Sequence, residues 1–259
     1  MAQLVIAAAA LAFAALPAVA QVPGFDASTV GAPGSGARAE LFMPTGTVPT
    51  ASVVVLHGCD GVGPHYRFWA RRLAGWGYAA LLVDSFRSRG FTEVCNRGQL
   101  VPPEVQARDA FDAAAYLRAR PDLHIARIGV IGFSHGGWAV LKAVLAGAVR
   151  RPDETPFGAA VAFYPGCDPP SSALETDTLI LIGDADDWTP VARCQRWQGL
   201  AQTNGHTLQI AVYPGAVHAF DGFAPLQVFG GHHVGRDPAA AAEATTATQL
   251  FFAARLTLR

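Results

Sequence analysis

The run Gly132-Phe133-Ser134-His135-Gly136 matches the pattern G-x-S-x-G, which can present a serine for nucleophilic attack. An apolar stretch precedes this run and a helical pattern follows it, so the serine should occupy a sharp turn between a strand and a helix. Bulky side chains at Gly132 and Gly136 would clash at such a turn. We interpret Ser134 as a nucleophile; the alternative is a serine that caps a helix in a tight turn.

A serine hydroxyl becomes a strong nucleophile only when a base accepts its proton. Where a serine is presented in this way, the acid and then the histidine follow it along the chain. The segment 213–220 (YPGAVHAF) follows a predicted strand and predicts His218 as the base. Of the other histidines, His206 precedes its strand, which indicates the opposite edge of the sheet. The adjacent His232 and His233 lie in a later loop and are typical of a metal site or of the surface.

The acid that orients the histidine is expected in the segment 183–190 (GDADDWTP), which follows an apolar strand. An acid at the carboxyl end of a parallel strand lies at the same edge as the nucleophile. We favour Asp186, which falls on the first turn past the strand, with Asp187 as the alternative. An aspartate in such a loop is otherwise a helix N-cap.

An acyl-transfer site also needs N–H donors for the negative charge that develops on the carbonyl oxygen. We expect one oxyanion-hole donor to be the backbone N–H of His135, directly after the nucleophile. The other should come from the loop 57–61 (HGCDG), where we favour the N–H of Cys59. Four aromatic side chains could form the walls of a pocket, although each could equally belong to the core: Phe86, Trp138, Tyr164 and Trp188.

The elements that must position these residues alternate between strands and helices. Apolar, β-branched runs predict buried strands at 52–57, 78–84, 127–132, 158–164, 178–183 and 207–213. Helical patterns occur at 64–76, 104–120, 135–150, 190–203 and 237–256, and an edge strand is expected at 37–43. This order predicts an α/β fold with a mainly parallel sheet covered by helices on both faces. We expect one domain over residues 21–259, with a long polar loop at 85–103 that could line a site.

The four cysteines are an even number, which suits disulfide bonds in an oxidising compartment. Each half of the chain holds two of them after predicted strands, so we expect the pairs Cys59–Cys95 and Cys167–Cys194. Four buried free thiols are the alternative. The absence of any C-x2-C spacing argues against a zinc site.

The first twenty residues predict export. An apolar run from Leu4 to Leu16 ends in the small residues of a signal-peptide cleavage site at 17–20 (PAVA), with Gln21 as the first mature residue. The missing Lys or Arg before the run departs from the usual pattern. We expect a periplasmic or secreted protein without stable membrane insertion after cleavage, because the later apolar runs are interrupted by Gly, Pro, His or charge.

Composition narrows the class of partner. The chain has 259 residues, of which 51% are hydrophobic, and this is enough for one large core. Its formal net charge of -1, with 15% charged residues, argues against nucleic acid as a partner. We expect a monomer or a small homo-oligomer that acts on a small molecule.

These motifs together resemble the dienelactone hydrolase family over residues 37–256. The resemblance rests on HGCDG at 57–61, DSFRSRG at 84–90, GFSHGG at 132–137, GDADDWTP at 183–190 and YPGAVHAF at 213–220. It implies an α/β-hydrolase fold with a triad of Ser134, Asp186 and His218. The implied activity is hydrolysis of an ester or lactone through an acyl-enzyme, with no metal or organic cofactor.

Several positions depart from the best-known members of that family. Those enzymes use a cysteine where this chain has Ser134, and a glutamate where it has Gly58. They hold a substrate carboxylate with two arginines; one matching position is 221–222 (Asp-Gly), and the other corresponds to Arg87 or Arg89. A carboxylated dienelactone is therefore not the expected substrate. The alternatives are a peptidase or amidase of the same fold and a binding protein without turnover.

Overall fold

The computed structural model describes residues 20–25, 37–46, 48–168 and 173–256. The predicted signal peptide, residues 1–20, lies outside the described residues except for its last position, Ala20. Within the described ranges, none of the helices has both the length and the apolar character that crossing a bilayer requires.

Eight strands form one central sheet. They are β1 Ala20–Phe25, β2 Ala37–Phe42, β3 Ala51–Leu56, β4 Ala79–Asp84, β5 Arg127–Phe133, β6 Ala159–Phe163, β7 Thr178–Gly183 and β8 Leu208–Tyr213. Their order across the sheet is β1-β2-β4-β3-β5-β6-β7-β8. The six strands β4, β3, β5, β6, β7 and β8 are parallel to one another. Strand β2 pairs antiparallel with β4, and β1 pairs antiparallel with β2 on the outer side. The predicted mainly parallel sheet is confirmed.

The prediction of an edge strand at 37–43 was wrong. This segment forms β2, which lies one position inside the edge because β1 pairs with it on the outer side. The sequence of β1, AQVPGF, contains a proline and a glycine, which weaken a strand signal. An edge strand tolerates proline because the missing N–H need not face a partner, so a segment with a weak strand signal can form β1.

Helices cover both faces of the sheet, as predicted. They are α1 Pro64–Gly75, α2 Pro103–Ala119, α3 His135–Ala143, α4 Val191–Leu200 and α5 Pro238–Leu256. The neighbours Gly132 and Phe133 of β5 point to opposite faces. Gly132 meets Gly136 of α3, whereas the ring of Phe133 lies 5.5 Å from that of Trp69 in α1. Helix α3 therefore lies on one face of the sheet and α1 on the other.

Two features differ from the predicted order of strands and helices. Helix α3 ends at Ala143 rather than at 150, because the N–H of Ala146 instead binds the carbonyl of Ala173 at 2.8 Å and the chain turns at Gly147. A short antiparallel hairpin, β9 Gln227–Phe229 and β10 His232–Val234, was not predicted at all.

Both predicted disulfide pairings, Cys59–Cys95 and Cys167–Cys194, are confirmed, so the alternative of four free thiols was wrong. The first bond ties the loop after β3 to the long loop 85–103. That loop is packed rather than open, since three of its apolar side chains form a small buried cluster with one from α2: Phe86, Val94, Val101 and Val105. The loop after β3 that contains Cys59 is therefore held in place at this edge of the sheet.

Candidate active site

Ser134 occupies the turn between β5 and α3 in a strained backbone conformation. Its φ of 52° and ψ of -113° are rarely adopted by a residue other than glycine. Both flanking glycines are required sterically. A Cβ at Gly132 would clash with the carbonyl of Gly136, and a Cβ at Gly136 would lie 2.5 Å from the carbonyl oxygens of Leu56 and His57. The turn therefore presents the hydroxyl at the carboxyl edge of the sheet.

The three side chains predicted as a triad form a continuous line of hydrogen-bond contacts. Nε2 of His218 lies 2.9 Å from Oγ of Ser134, and Nδ1 lies 2.8 Å from Oδ2 of Asp186. Because a carboxylate only accepts hydrogen bonds, Nδ1 carries the proton and Nε2 is left as an acceptor for the serine hydroxyl. This arrangement can remove a proton from Ser134.

Asp186 is fixed by the start of its own loop. Its Oδ1 accepts the backbone N–H groups of Trp188 at 3.0 Å and Thr189 at 2.8 Å, and its Oδ2 accepts the hydroxyl of Thr189 at 2.8 Å. The neighbouring Asp187 instead has an exposed side chain that accepts the backbone N–H of His233 at 3.0 Å. The structure thus brings Asp186 against the triad histidine and does not bring Asp187 there.

Backbone contacts between the loops after β7 and β8 bring the acid and the histidine together. The N–H of Ala185 binds the carbonyl of Ala216 at 3.2 Å, which joins the two loops just before their functional residues. The N–H of Gly235 binds the carbonyl of His218 at 3.0 Å and secures the second loop from the other side. The position of the imidazole is therefore set by main-chain bonds on both sides.

The two predicted oxyanion-hole residues both lie beside Ser134. The N–H of His135 is in the first turn of α3, where a helix offers no internal acceptor. Cys59 lines the same cavity as Ser134, and its carbonyl accepts the N–H of Val94 at 2.7 Å. With its disulfide to Cys95, this bond holds the loop of Cys59 in place. The arrangement is compatible with two N–H donors that face one substrate oxygen.

Gln106 of α2, which no sequence motif indicated, connects His135 at the start of α3 to His57 in the loop after β3. Its Oε1 accepts Nδ1–H of His135 at 2.9 Å, and its side-chain N–H binds the carbonyl of His57 at 3.0 Å. Burial, followed by the neighbouring His57, lowers the pKa of His135 to about 4. Its imidazole is therefore neutral at pH 7 and serves as a hydrogen-bonded support.

A second group missed by the sequence analysis is the buried carboxylate of Asp221. It accepts hydrogen bonds from Nε1 of Trp69 at 2.7 Å, the hydroxyl of Tyr164 at 2.7 Å and Nε2 of His65 at 2.9 Å. Burial raises the pKa of such a carboxyl, but the nearby His65 and these donated bonds outweigh it, so the pKa of Asp221 lies below its ordinary value. Since the ring of Tyr164 lies 4.8 Å from that of His218, Asp221 supports a wall of the site.

The unpredicted hairpin forms another wall. The ring of His232 stacks on Trp188 at 4.8 Å, and Nδ1 of His233 lies 2.7 Å from Asp187, so both histidines attach the hairpin to the loop after β7. The surface alternative is confirmed for His233, whose side chain is 59% exposed, and both histidines also have a structural role in attaching the hairpin. The Gly-Gly pair between Phe229 and His232 is a two-residue turn signal in the sequence that could have revealed the hairpin.

Two cavities meet at Ser134. The large cavity has a volume of about 360 Å³ and the small cavity about 240 Å³, and both are lined by Cys59, Cys95 and Trp188. Of the predicted wall residues, Tyr164 lines the large cavity, Trp138 the small one and Trp188 both. Phe86 is instead fully buried in the apolar cluster of the loop 85–103, so for this residue the alternative of core packing is confirmed.

Neither candidate arginine from the sequence analysis lines these cavities. Arg89 is buried and forms a bidentate pair with Asp109, with bonds of 2.7 and 2.8 Å. Arg87 lies 3.6 Å from Asp84. Both are therefore engaged by the chain itself.

Comparison with known sequences now identifies the family. The profile described as "Dienelactone hydrolase family" matches residues 37–256. The chain belongs to the dienelactone hydrolase family. This membership places it among hydrolases of ester and lactone bonds.

Two curated proteins are similar to this dienelactone hydrolase family member. The "Putative carboxymethylenebutenolidase" of Methylorubrum extorquens is 31% identical over 201 residues, which cover 69% of this chain and 66% of that protein, just under two thirds of its length. The "Probable 2-oxo-3-(5-oxofuran-2-ylidene)propanoate lactonase" of a Bradyrhizobium species is 24% identical over 204 residues, covering 74% of this chain and 82% of that protein.

The fold is shared with solved structures of the dienelactone hydrolase family. The crystal structure of dienelactone hydrolase from Anabaena variabilis superposes with a TM-score of 0.70 at 21% identity, covering 94% of this chain and 100% of that one. At this level of identity the similarity shows the fold alone.

Proposed function

We propose that this protein hydrolyses an ester or lactone bond of a small molecule through a serine acyl-enzyme. The observation that carries the proposal is the line of contacts from Asp186 through His218 to Ser134, at 2.8 and 2.9 Å. The names of the two curated relatives, a butenolidase and a lactonase, support the same bond type.

The proposed reaction has two acyl-transfer steps. Oγ of Ser134 attacks the carbonyl carbon while Nε2 of His218 accepts its proton, and Asp186 stabilises the imidazolium. The C–O bond to the alcohol then breaks, and His218 returns the proton to the leaving oxygen. Water, deprotonated by His218, attacks the acyl carbon; the bond to Oγ of Ser134 then breaks, His218 returns the proton to that oxygen, and the acid is released. In a lactone the alcohol and the acid leave as one molecule. The proposed chemistry uses no metal or organic cofactor.

The negative charge on the carbonyl oxygen would be held by the backbone N–H groups of His135 and Cys59. Their support comes from the start of α3 and from the anchored loop after β3. Removal of one such donor in other hydrolases costs about 10²–10³ in kcat.

We also propose that the protein is exported and begins at Gln21 after cleavage of residues 1–20. Two disulfide bonds support an oxidising compartment. Cleavage at this point would leave most of β1, Ala20–Phe25, available for pairing with β2. Expression in a Gram-negative host, cell fractionation and N-terminal sequencing test this proposal. A full-length chain retained in the cytoplasm would contradict it.

Hydrolysis of p-nitrophenyl butyrate, compared with the p-nitroanilide of butyrate, tests the activity. The proposal predicts release of p-nitrophenol by the wild type, little cleavage of the anilide, and no turnover by a folded Ser134→Ala variant. Faster cleavage of the anilide would favour a peptidase or amidase. No turnover of either compound, or of a panel of lactones, would favour a binding protein.

A further inference from the structure

The large cavity beside Ser134 has an apolar interior and an apolar mouth. Phe223 and Phe229 both line it while remaining half exposed, at 50% and 48%, so they mark the point where it opens to solvent. The ring of Phe223 is 5.8 Å from that of His65, and the ring of Phe229 is 6.0 Å from that of Trp188. A bound group would therefore pass between aromatic surfaces on its way to the nucleophile.

The charges around the large cavity are negative rather than positive. Among the described residues that line it there is no lysine or arginine, and Asp60, whose carboxylate accepts the hydroxyl of Tyr66, lies in its wall. Apart from the triad histidine, the other histidine in the wall is His65, and its Nε2 is engaged by the buried Asp221 at 2.9 Å. An incoming anion would therefore have to compete with Asp221 for this ring.

The small cavity on the other side of Ser134 differs in this respect. Its wall contains the exposed guanidinium of Arg193 and the carboxylate of Asp168, so charges of both signs are present there. The two parts of an ester that extend away from the reacting carbonyl would therefore meet different environments. A charge on the substrate should change kcat/KM strongly when it lies on the side of the ester bond that enters the large cavity, and weakly when it lies on the side that enters the small cavity.

We propose that the large cavity binds an uncharged, apolar group of the substrate and selects against a carboxylate in that position. This inference rests on the proposed ester or lactone hydrolysis and narrows its substrate class. A carboxylate that enters the cavity loses its hydration, gains no cation in return and faces Asp60, which together oppose binding. An apolar group of the same length has no charge to dehydrate, and it buries its surface against Phe223 and Phe229.

Two matched series of esters test the inference, because the acyl group or the alcohol could occupy the large cavity. The acyl series is p-nitrophenyl pentanoate, mono-p-nitrophenyl glutarate and the methyl ester of that glutarate, which removes the charge without reducing the size. The alcohol series is pentyl acetate, 5-acetoxypentanoate and the methyl ester of 5-acetoxypentanoate. Hydrolysis in this series is measured from the protons that it releases. In at least one series, kcat/KM for the carboxylate should be lower than for both neutral esters by about tenfold or more. A difference of this size is expected when a charged group loses part of its hydration.

Substitutions at the mouth of the large cavity test whether the discrimination against anionic esters arises there. Phe223→Lys and Phe229→Lys place a cation at the mouth of the large cavity and should narrow the ratio between neutral and anionic esters in the discriminating series. Leu250→Lys is the control, because Leu250 is 66% exposed on α5 and does not line the cavity; it should leave the ratio unchanged. Circular dichroism verifies that each variant is folded.

The inference is overturned if the anionic and neutral esters differ by less than about threefold in both series, since a desolvated charge costs more than that. It is also overturned if neither lysine variant at the mouth narrows the ratio. Absence of turnover on all neutral esters would contradict the proposed function itself, so the two failures are distinguishable.

Discussion

Asp186 and Asp187 are adjacent in the chain but contact different partners: the first lies 2.8 Å from Nδ1 of His218, and the second lies 2.7 Å from Nδ1 of His233. Asp186 is buried and accepts hydrogen bonds from its own loop, whereas the side chain of Asp187 is 41% exposed. One of these neighbours can therefore orient the triad histidine, and the other attaches the hairpin β9–β10.

This difference predicts unequal effects of two conservative substitutions. Asp186→Asn should lower kcat by about a thousandfold or more, because an amide favours the wrong histidine tautomer and cannot stabilise the imidazolium. Asp187→Asn is the matched control and should change kcat by less than about threefold, since it weakens an exposed pair. Steady-state kinetics on p-nitrophenyl butyrate measure both. A larger loss in Asp187→Asn would exchange the two assignments.

The two disulfide bonds provide a second matched pair. They close loops of similar sequence separation, 36 and 27 residues, so removing either should lower the free energy of unfolding by about 3–4 kcal/mol. Only the Cys59–Cys95 bond holds a proposed oxyanion-hole residue. Replacing this pair with serines should lower kcat by about tenfold, part of the loss expected when an oxyanion donor is removed.

The control for that prediction is the double substitution of Cys167 and Cys194 by serine. It should reduce stability to a similar extent, measured by urea unfolding, but should change kcat by less than about threefold, because no oxyanion donor is displaced. Equal loss of kcat in both double variants would show that the Cys59–Cys95 bond has no specific role in catalysis.

Acid should destabilise the protein through His135. Its pKa lies at about 4 in the folded protein, below the ordinary value of 6.5, because burial disfavours the charged imidazole. The unfolded chain therefore binds a proton that the folded protein does not, and this contribution to stability is complete above pH 6.5. It is lost as the pH falls from 6.5 to 4, by about 3 kcal/mol.

Replacement of His135 by Asn checks this linkage, because the amide nitrogen can still donate to Gln106. Urea unfolding of the wild type should show a clear decrease in free energy between pH 7.5 and pH 4.5. His135→Asn should show a smaller decrease over the same range. Identical pH dependence in the two proteins would show that this imidazole does not titrate as described.

The glycine at 136 should be intolerant of even one methyl group. Its Cβ would lie 2.5 Å from the carbonyl oxygens of Leu56, the last residue of β3, and His57, so relief would require α3, which follows Ser134 directly, to move away from β3. Gly136→Ala should destabilise the protein by about 3 kcal/mol or prevent folding. The control is Gly75→Ala in α1, where nothing lies within 4 Å; it should be neutral or stabilising by up to about 1 kcal/mol. Thermal unfolding compares the two.

The sequence predicted those features that have a strong local signal. Continuous apolar runs predicted the six parallel strands because strands buried on both faces show little else. The triad could be predicted because Ser134, Asp186 and His218 each follow such a run, and parallel strands bring their carboxyl ends to one edge. The disulfide pairs followed from the same placement.

Features that depend on tertiary contacts were missed or misplaced. Strand β1 contains a proline, which weakens its local signal, and its place at the edge of the sheet depends on pairing with β2. Helix α3 looked longer in sequence because nothing local revealed that Ala146 would pair with Ala173. Asp221 resembles a surface aspartate until Trp69, Tyr164 and His65, far away in the chain, converge on it.

Covalent labelling of Ser134 is the most direct test of the central claim, that this serine is activated by His218. A fluorophosphonate should modify the folded wild-type protein once per chain, and peptide mass spectrometry should map the adduct to Ser134. The folded variants Ser134→Ala and His218→Ala should remain unlabelled over the same time. An adduct on a different residue, or labelling of His218→Ala at the wild-type rate, would contradict the account.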